Sequence, residues 1–98
     1  MLHIVNKSPL ERNSLAACLR IATGGTILLI EDAVYDAVRG TATEAAIREA
    51  QQRFRIVALK PDLDARAVGE RIIEGIATVD YEGFVDLVAE HPNCQSWL

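Results

Sequence analysis

Three observations predict an α/β fold in which helices cover a mostly parallel central sheet of about five strands, in three α/β/α layers. Short aliphatic runs at residues 2–5, 26–30, 56–59 and 76–79 alternate with stretches of helical periodicity. Each run stops at polar residues: Asn6-Lys7-Ser8-Pro9, Glu31-Asp32, Lys60-Pro61-Asp62 and Asp80 in turn. Half of the 98 residues are apolar while only 5% are aromatic, so the apolar content is aliphatic and alanine, as a parallel sheet buried on both faces requires. A chain of this length is expected to be one domain, 1–98, with a single core.

The elements follow in order. Residues 2–5 form the first strand. In the helical stretch behind it, Leu10, Ser14, Leu15, Ala17, Cys18, Leu19, Ile21 and Ala22 share one arc, with Cys18 near its middle; Arg12, Asn13, Ala16 and Arg20 face away. Gly24-Gly25 precedes the second strand, the wrong side for a phosphate loop. Asp32 is expected to cap a short helix over residues 33–39 that Gly40 stops. Residues 43–54 read as the next helix, carrying Ile47, Ala50 and Phe54 at helical spacing and Glu44 one turn before Arg48. The third strand, 56–59, closes at Pro61, which cannot donate to a ladder. Residues 62–71 read as an irregular helical turn or two interrupted at Gly69. After the fourth strand, Asp80 caps a helix with Tyr81, Phe84, Val85 and Val88 on one face. His91-Pro92 ends it, and residues 94–98 can add a short edge strand.

Charge and length narrow the function. A net charge of −4, a pI near 5.0 and no block of Lys or Arg argue against direct nucleic-acid binding, which needs a basic face. No run nears the roughly 20 apolar residues that span a bilayer, and residue 2 already enters a strand, so a cytosolic protein is expected. The chain is short for a doubly wound enzyme with its own cofactor pocket; a non-catalytic or accessory subunit that carries no cofactor is the expectation. Cys18 and Cys94 lack CxxC spacing, and with two histidines they do not point to zinc.

Two places could carry chemistry. Asn6, Lys7, Glu31, Asp32, Lys60, Asp62 and Asp80 gather along one edge of a parallel sheet, where α/β proteins place sites and where carboxylates can hold Mg²⁺. A stand-alone regulatory module of the receiver type would need an acidic pair after the first strand. Asn6-Lys7 stands there instead. The simpler reading is helix caps and solvated turns, with no metal. Cys18 is the second place: either a small core residue, inert because burial raises its pKa, or a reachable thiol that takes part in reaction. Neither His3 nor His91 stands in a pattern that would make it a base for a thiol. Cys94 lies in a terminal segment, as does Trp97, the sole tryptophan, which reads as an anchor in a groove of its own domain or of a partner.

The opening residues 2–15 (LHIVNKSPLERNSL), then LLIEDAVY, ALKPDLDAR, VDYEGFVDL and the closing Gln95-Ser96-Trp97 resemble the TusB/DsrH family of sulfur-relay subunits from end to end. The resemblance implies an α/β layer fold with a parallel sheet of about five strands. It also implies a cytosolic heterohexamer with TusC/DsrF-like and TusD/DsrE-like subunits that passes persulfide sulfur to a TusE/DsrC-like acceptor. That sulfur serves either 2-thiolation of the tRNA wobble uridine or dissimilatory sulfur oxidation. The main persulfide cysteine belongs to the TusD/DsrE-like partner, which leaves this subunit a scaffold. Cys18 is then a candidate secondary persulfide site, and its presence together with the wording of residues 6–13 leans toward the DsrH type. Without its partners the chain is expected to self-associate or be poorly soluble, because partner-facing apolar surface stays exposed.

Overall fold

The computed structural model describes residues 1–8 and 14–97. Its centre is one five-stranded sheet formed by β1 (Leu2–Val5), β2 (Gly25–Leu29), β3 (Phe54–Leu59), β4 (Ala77–Val79) and β5 (Cys94–Trp97). The order is β4-β3-β2-β1-β5, and every neighbouring pair is parallel. The helices are α1 (Ser14–Ile21), α2 (Glu44–Ala50), α3 (Lys60–Ala65) and α4 (Tyr81–Glu90), with 3₁₀ helices at Glu31–Ala37 and Gly69–Arg71.

Because side chains alternate along a strand, each central strand feeds two cores. Val5, Ile27, Leu29, Ile56 and Ala58 point to one face, where Leu15 and Cys18 of α1, Ala33, Val34 and Ala37 of the first 3₁₀ helix, and Ile47 and Ala50 of α2 cover them. Leu2, Leu28 and Val57 point to the other, where, among the described residues, α4 is the one helix that contributes, through Leu87 and half-buried Phe84. The topology gives this asymmetry: the chain steps one way from β1 to β4 and then back across the whole sheet to β5, and right-handed crossovers in opposite directions lie on opposite faces. Gly25 opens β2 at φ 112°, and a Cβ there would collide with the Met1 carbonyl oxygen, which accepts from the Thr26 N–H at 3.1 Å.

Several local expectations are corrected. The segment after β2 is a 3₁₀ helix with no side-chain cap, because the Asp32 carboxylate turns instead to Arg66. Phe54 begins β3 rather than ending α2, since Gln51–Arg53 turn the chain first and the ring joins the first core. Pro61 ends β3 by starting α3, where a missing N–H in the first turn costs nothing. On α1, Ser14, Leu15 and Cys18 are buried, but Ile21 is exposed although it falls on the predicted apolar arc. The helix beyond β4 is rotated from expectation, its core residue being Leu87 while Tyr81, Val85 and Val88 face outward. Leu10, Arg12 and Asn13 lie outside the described residues.

Other expectations hold. The Asp80 carboxylate accepts from the Gly83 N–H at 2.8 Å, and a Cβ on Gly83 would sit 2.9 Å from Val79 Cβ, so glycine lets this helix start close against β4. Glu44 accepts from Arg48 at 2.8 Å and from the Gly40 N–H at 2.6 Å. The tail does form an edge strand, and no helix among the described residues is long and apolar enough to cross a membrane.

Candidate functional site

Four of the seven strand-end residues come together. Asn6 Nδ2 donates to Glu31 Oε2 at 3.3 Å, and the Glu31 N–H donates to Asp62 Oδ2 at 2.6 Å. Arg66 ties the remainder: its guanidinium meets Asp32 Oδ1 at 2.8 Å, its Nη1 donates to the Asp62 carbonyl at 3.1 Å, and Asp62 Oδ1 lies 3.9 Å away. Glu31 itself sits in the left-handed region at φ 51°, uncommon for a residue with a Cβ. Lys60 is bound instead to Asp64 at 2.8 Å, Asp80 serves as a helix cap, and Lys7 joins none of these bonds. Among the described residues no three His, Cys, Asp or Glu side chains gather as a metal site. Arg66 is the member that strand-end reasoning misses, though its place four residues after Asp62 on a helical stretch is a readable i,i+4 signal.

Chemically, this edge is a carboxylate pair, Asp32 and Asp62, bridged by one guanidinium, with the Glu31 carboxylate beside it bonded to Asn6, so the cluster keeps a net negative charge.

The thiols are placed very differently. Cys18 is fully buried against the sheet, and burial pushes its thiol up to about 11. A thiol with that pKa is almost entirely protonated near neutral pH and therefore a poor nucleophile. Cys94 is exposed at the start of the edge strand β5.

Both histidines are committed to structure. His3 Nδ1 accepts from Trp97 Nε1 at 3.2 Å, so the ring is neutral with its proton on Nε2, and its centroid lies 6.0 Å edge-on from Phe54. Burial lowers the His3 pKa and so favours the neutral ring, while the backbone of Gly24 pulls the other way. His91 Nδ1 lies 2.7 Å from the Leu87 carbonyl and so donates to it. Trp97 is thus anchored in its own fold, packed on the first core and bonded to the strand beside it.

One group that sequence reasoning passed over is unusual. Asp36, in the first 3₁₀ helix, is fully buried and neither carboxylate oxygen has a hydrogen-bond partner. Burial pushes its carboxyl up to about 7, opposed by the nearby Thr43 hydroxyl, whose own bond of 3.5 Å goes to the Asp36 backbone carbonyl. Nothing in the sequence marks it, because an aspartate between Tyr35 and Ala37 reads as a solvated helix residue.

Against this geometry the comparisons are specific. Residues 7–94 match the family described as DsrH like protein. The chain belongs to the DsrH-like family. It is similar over 99% of its length to the whole of Protein TusB of Escherichia coli K12, at 33% identity, and equally to Protein TusB of Enterobacter sp. strain 638. In fold, this DsrH-like chain is similar to the crystal structure of the ychN protein of E. coli, with a TM-score of 0.81 at 19% identity over 97% of both chains. It is also similar to MTH1491 of Methanobacterium thermoautotrophicum, a protein of unknown function, with a TM-score of 0.76 at 17% identity over 97% of this chain and 95% of that one. Family membership and the parallel five-stranded α/β architecture accord with the sequence reading.

Proposed function

We propose that the chain is a sulfur-relay subunit of the TusB type, a scaffold rather than a carrier, working in the cytosol with TusC/DsrF-like and TusD/DsrE-like subunits. The observation that carries this reading is the end-to-end similarity to TusB combined with the state of Cys18. In sulfur relay the terminal sulfur of a persulfide is attacked by an incoming thiolate, the S–S bond breaks and the donor cysteine leaves as a thiolate. That exchange needs a reachable, ionised thiol. Cys18 is sealed in the core, so packing is its role, and the transferring thiols belong to the TusD/DsrE-like partner and to a TusE/DsrC-like acceptor. The similarity to TusB proteins favours 2-thiolation of the tRNA wobble uridine as the end use. Sulfur oxidation is the second reading, supported by Cys18 itself, which the resemblance ties to the DsrH type.

The test is reconstitution with the two relatives, loading from a sulfur donor, and mass spectrometry of every cysteine peptide. Added sulfur is expected on the partner and transferred to the acceptor, with Cys18→Ala still competent. Stoichiometric sulfur on the Cys18 peptide, lost together with transfer in Cys18→Ser, would make this subunit a carrier. Restoration of 2-thiouridine in cells lacking their own TusB assigns the tRNA branch; failure there, with transfer to a DsrC-like acceptor intact, assigns the oxidation branch.

A further inference from the structure

α4 carries two adjoining ridges that the fold itself does not use. Leu87 and half-buried Phe84 turn one side of the helix to the sheet. Beside that side stands an apolar ridge, with Tyr81 63%, Val85 65% and Val88 41% exposed at i, i+4 and i+7. It continues through Phe84 onto Ile4, Ile30 and Val79, half-buried hydrophobics of the same sheet face. On its far flank Glu82, Asp86 and Glu90 form a second ridge at i, i+4 and i+8, all exposed. Among the described residues no Lys or Arg pairs with any of the three. Like charges at this spacing weaken the helix, and the exposed apolar ridge adds nothing to the stability of the isolated chain.

We propose that α4 is a docking surface for a partner helix whose apolar stripe is flanked by Lys or Arg. The apolar ridge supplies contact area and the acidic ridge selects the sign of the partner's flank, the division of labour of helix-in-groove recognition. A second copy fits poorly through the same helix. Antiparallel pairing sets two acidic ridges side by side, and parallel pairing leaves both unmatched. The chain's net charge of −4 adds to that repulsion. The same carboxylates disfavour an anionic lipid surface. The proposal deepens the scaffold reading and rests on it only in taking the partner to be another subunit.

Two experiments test it. In the complex co-purified with both relatives, zero-length carbodiimide coupling is expected to join Glu82, Asp86 or Glu90 to a partner lysine, and α4 amides to exchange more slowly than in the free chain. A complex whose cross-links all map elsewhere, with α4 unprotected, overturns the proposal and leaves the scaffold reading standing. If no complex forms, the scaffold reading fails, and a synthetic Leu/Lys amphipathic helix added to the chain alone decides α4 by itself. Its binding is expected to weaken at least tenfold in the triple variant Glu82→Lys, Asp86→Lys, Glu90→Lys and in Val85→Ser, and to fall with added salt. Binding unchanged in both variants, self-association through α4, or capture of α4 by phosphatidylcholine vesicles in preference to the peptide each overturns it.

Discussion

Replacing Asp36 with asparagine should change how the stability of this protein depends on pH. The carboxyl is fully buried, neither oxygen is hydrogen-bonded, and its pKa rises from 3.8 to about 7. Between those values the folded chain holds a proton that the unfolded chain has released. The stability this confers is therefore fully present below about pH 4 and is lost as pH rises through about 7. Roughly three pKa units at about 1.36 kcal/mol each set the scale at about 4 kcal/mol. Asparagine cannot ionise. It leaves an amide in the same apolar site, at a cost of about 1–3 kcal/mol that does not vary with pH. The difference between the two proteins is the measurement: denaturant unfolding at intervals from pH 4.5 to 8.5, with ΔG of wild type minus that of the variant plotted against pH. The titrations common to both cancel, and the difference should fall by a few kcal/mol from the acid to the alkaline end, leaving Asp36→Asn the more stable near pH 8. A difference that stays flat across the range would refute the reasoning, because it would mean that Asp36 finds a partner or water that keeps it charged in the fold.

Other perturbations follow from the same structure. Cys18 should alkylate slowly at pH 7.5 in the native chain and readily in denaturant, and Cys18→Ser should lower stability by about 1–3 kcal/mol, read by chemical unfolding. Trp97→Ala, which loses both the bond to His3 and packing on the first core, should cost about 2–4 kcal/mol; an unchanged melting temperature would mean that the tail is idle. Ala67 sits at φ 54° in the turn just after α3 with an exposed side chain, so Ala67→Gly should be neutral or stabilising by up to about 1 kcal/mol, read by chemical unfolding. Arg66→Met should cost only about 1 kcal/mol and less at high salt, since its partner Asp32 is half exposed to solvent.

What the sequence determined alone was the alternation. Short continuous aliphatic runs bounded by polar turns and alternating with helical stretches admit few arrangements other than a parallel sheet with crossover helices, and four runs and a tail yielded five strands. Local chemistry was equally legible where it acts within one turn of chain, as in the Asp80 cap and the Glu44–Arg48 pair. Strand order was not, because the sequence says that residues 94–98 can add a short edge strand but not that this strand lies at the edge opposite β4. That placement, with a right-handed crossover, makes α4 the one helix among the described residues over its face and leaves Tyr81, Val85 and Val88 exposed. The fate of each polar group at the sheet edge also waited on contacts distant in sequence: Asp32 left its expected cap for a guanidinium 34 residues away, and Glu31 took a left-handed backbone to reach Asp62. Asp36 shows the same limit at its sharpest. A charge is cheap in water and expensive in an apolar interior, and whether an aspartate meets one or the other depends on where the whole chain closes around it.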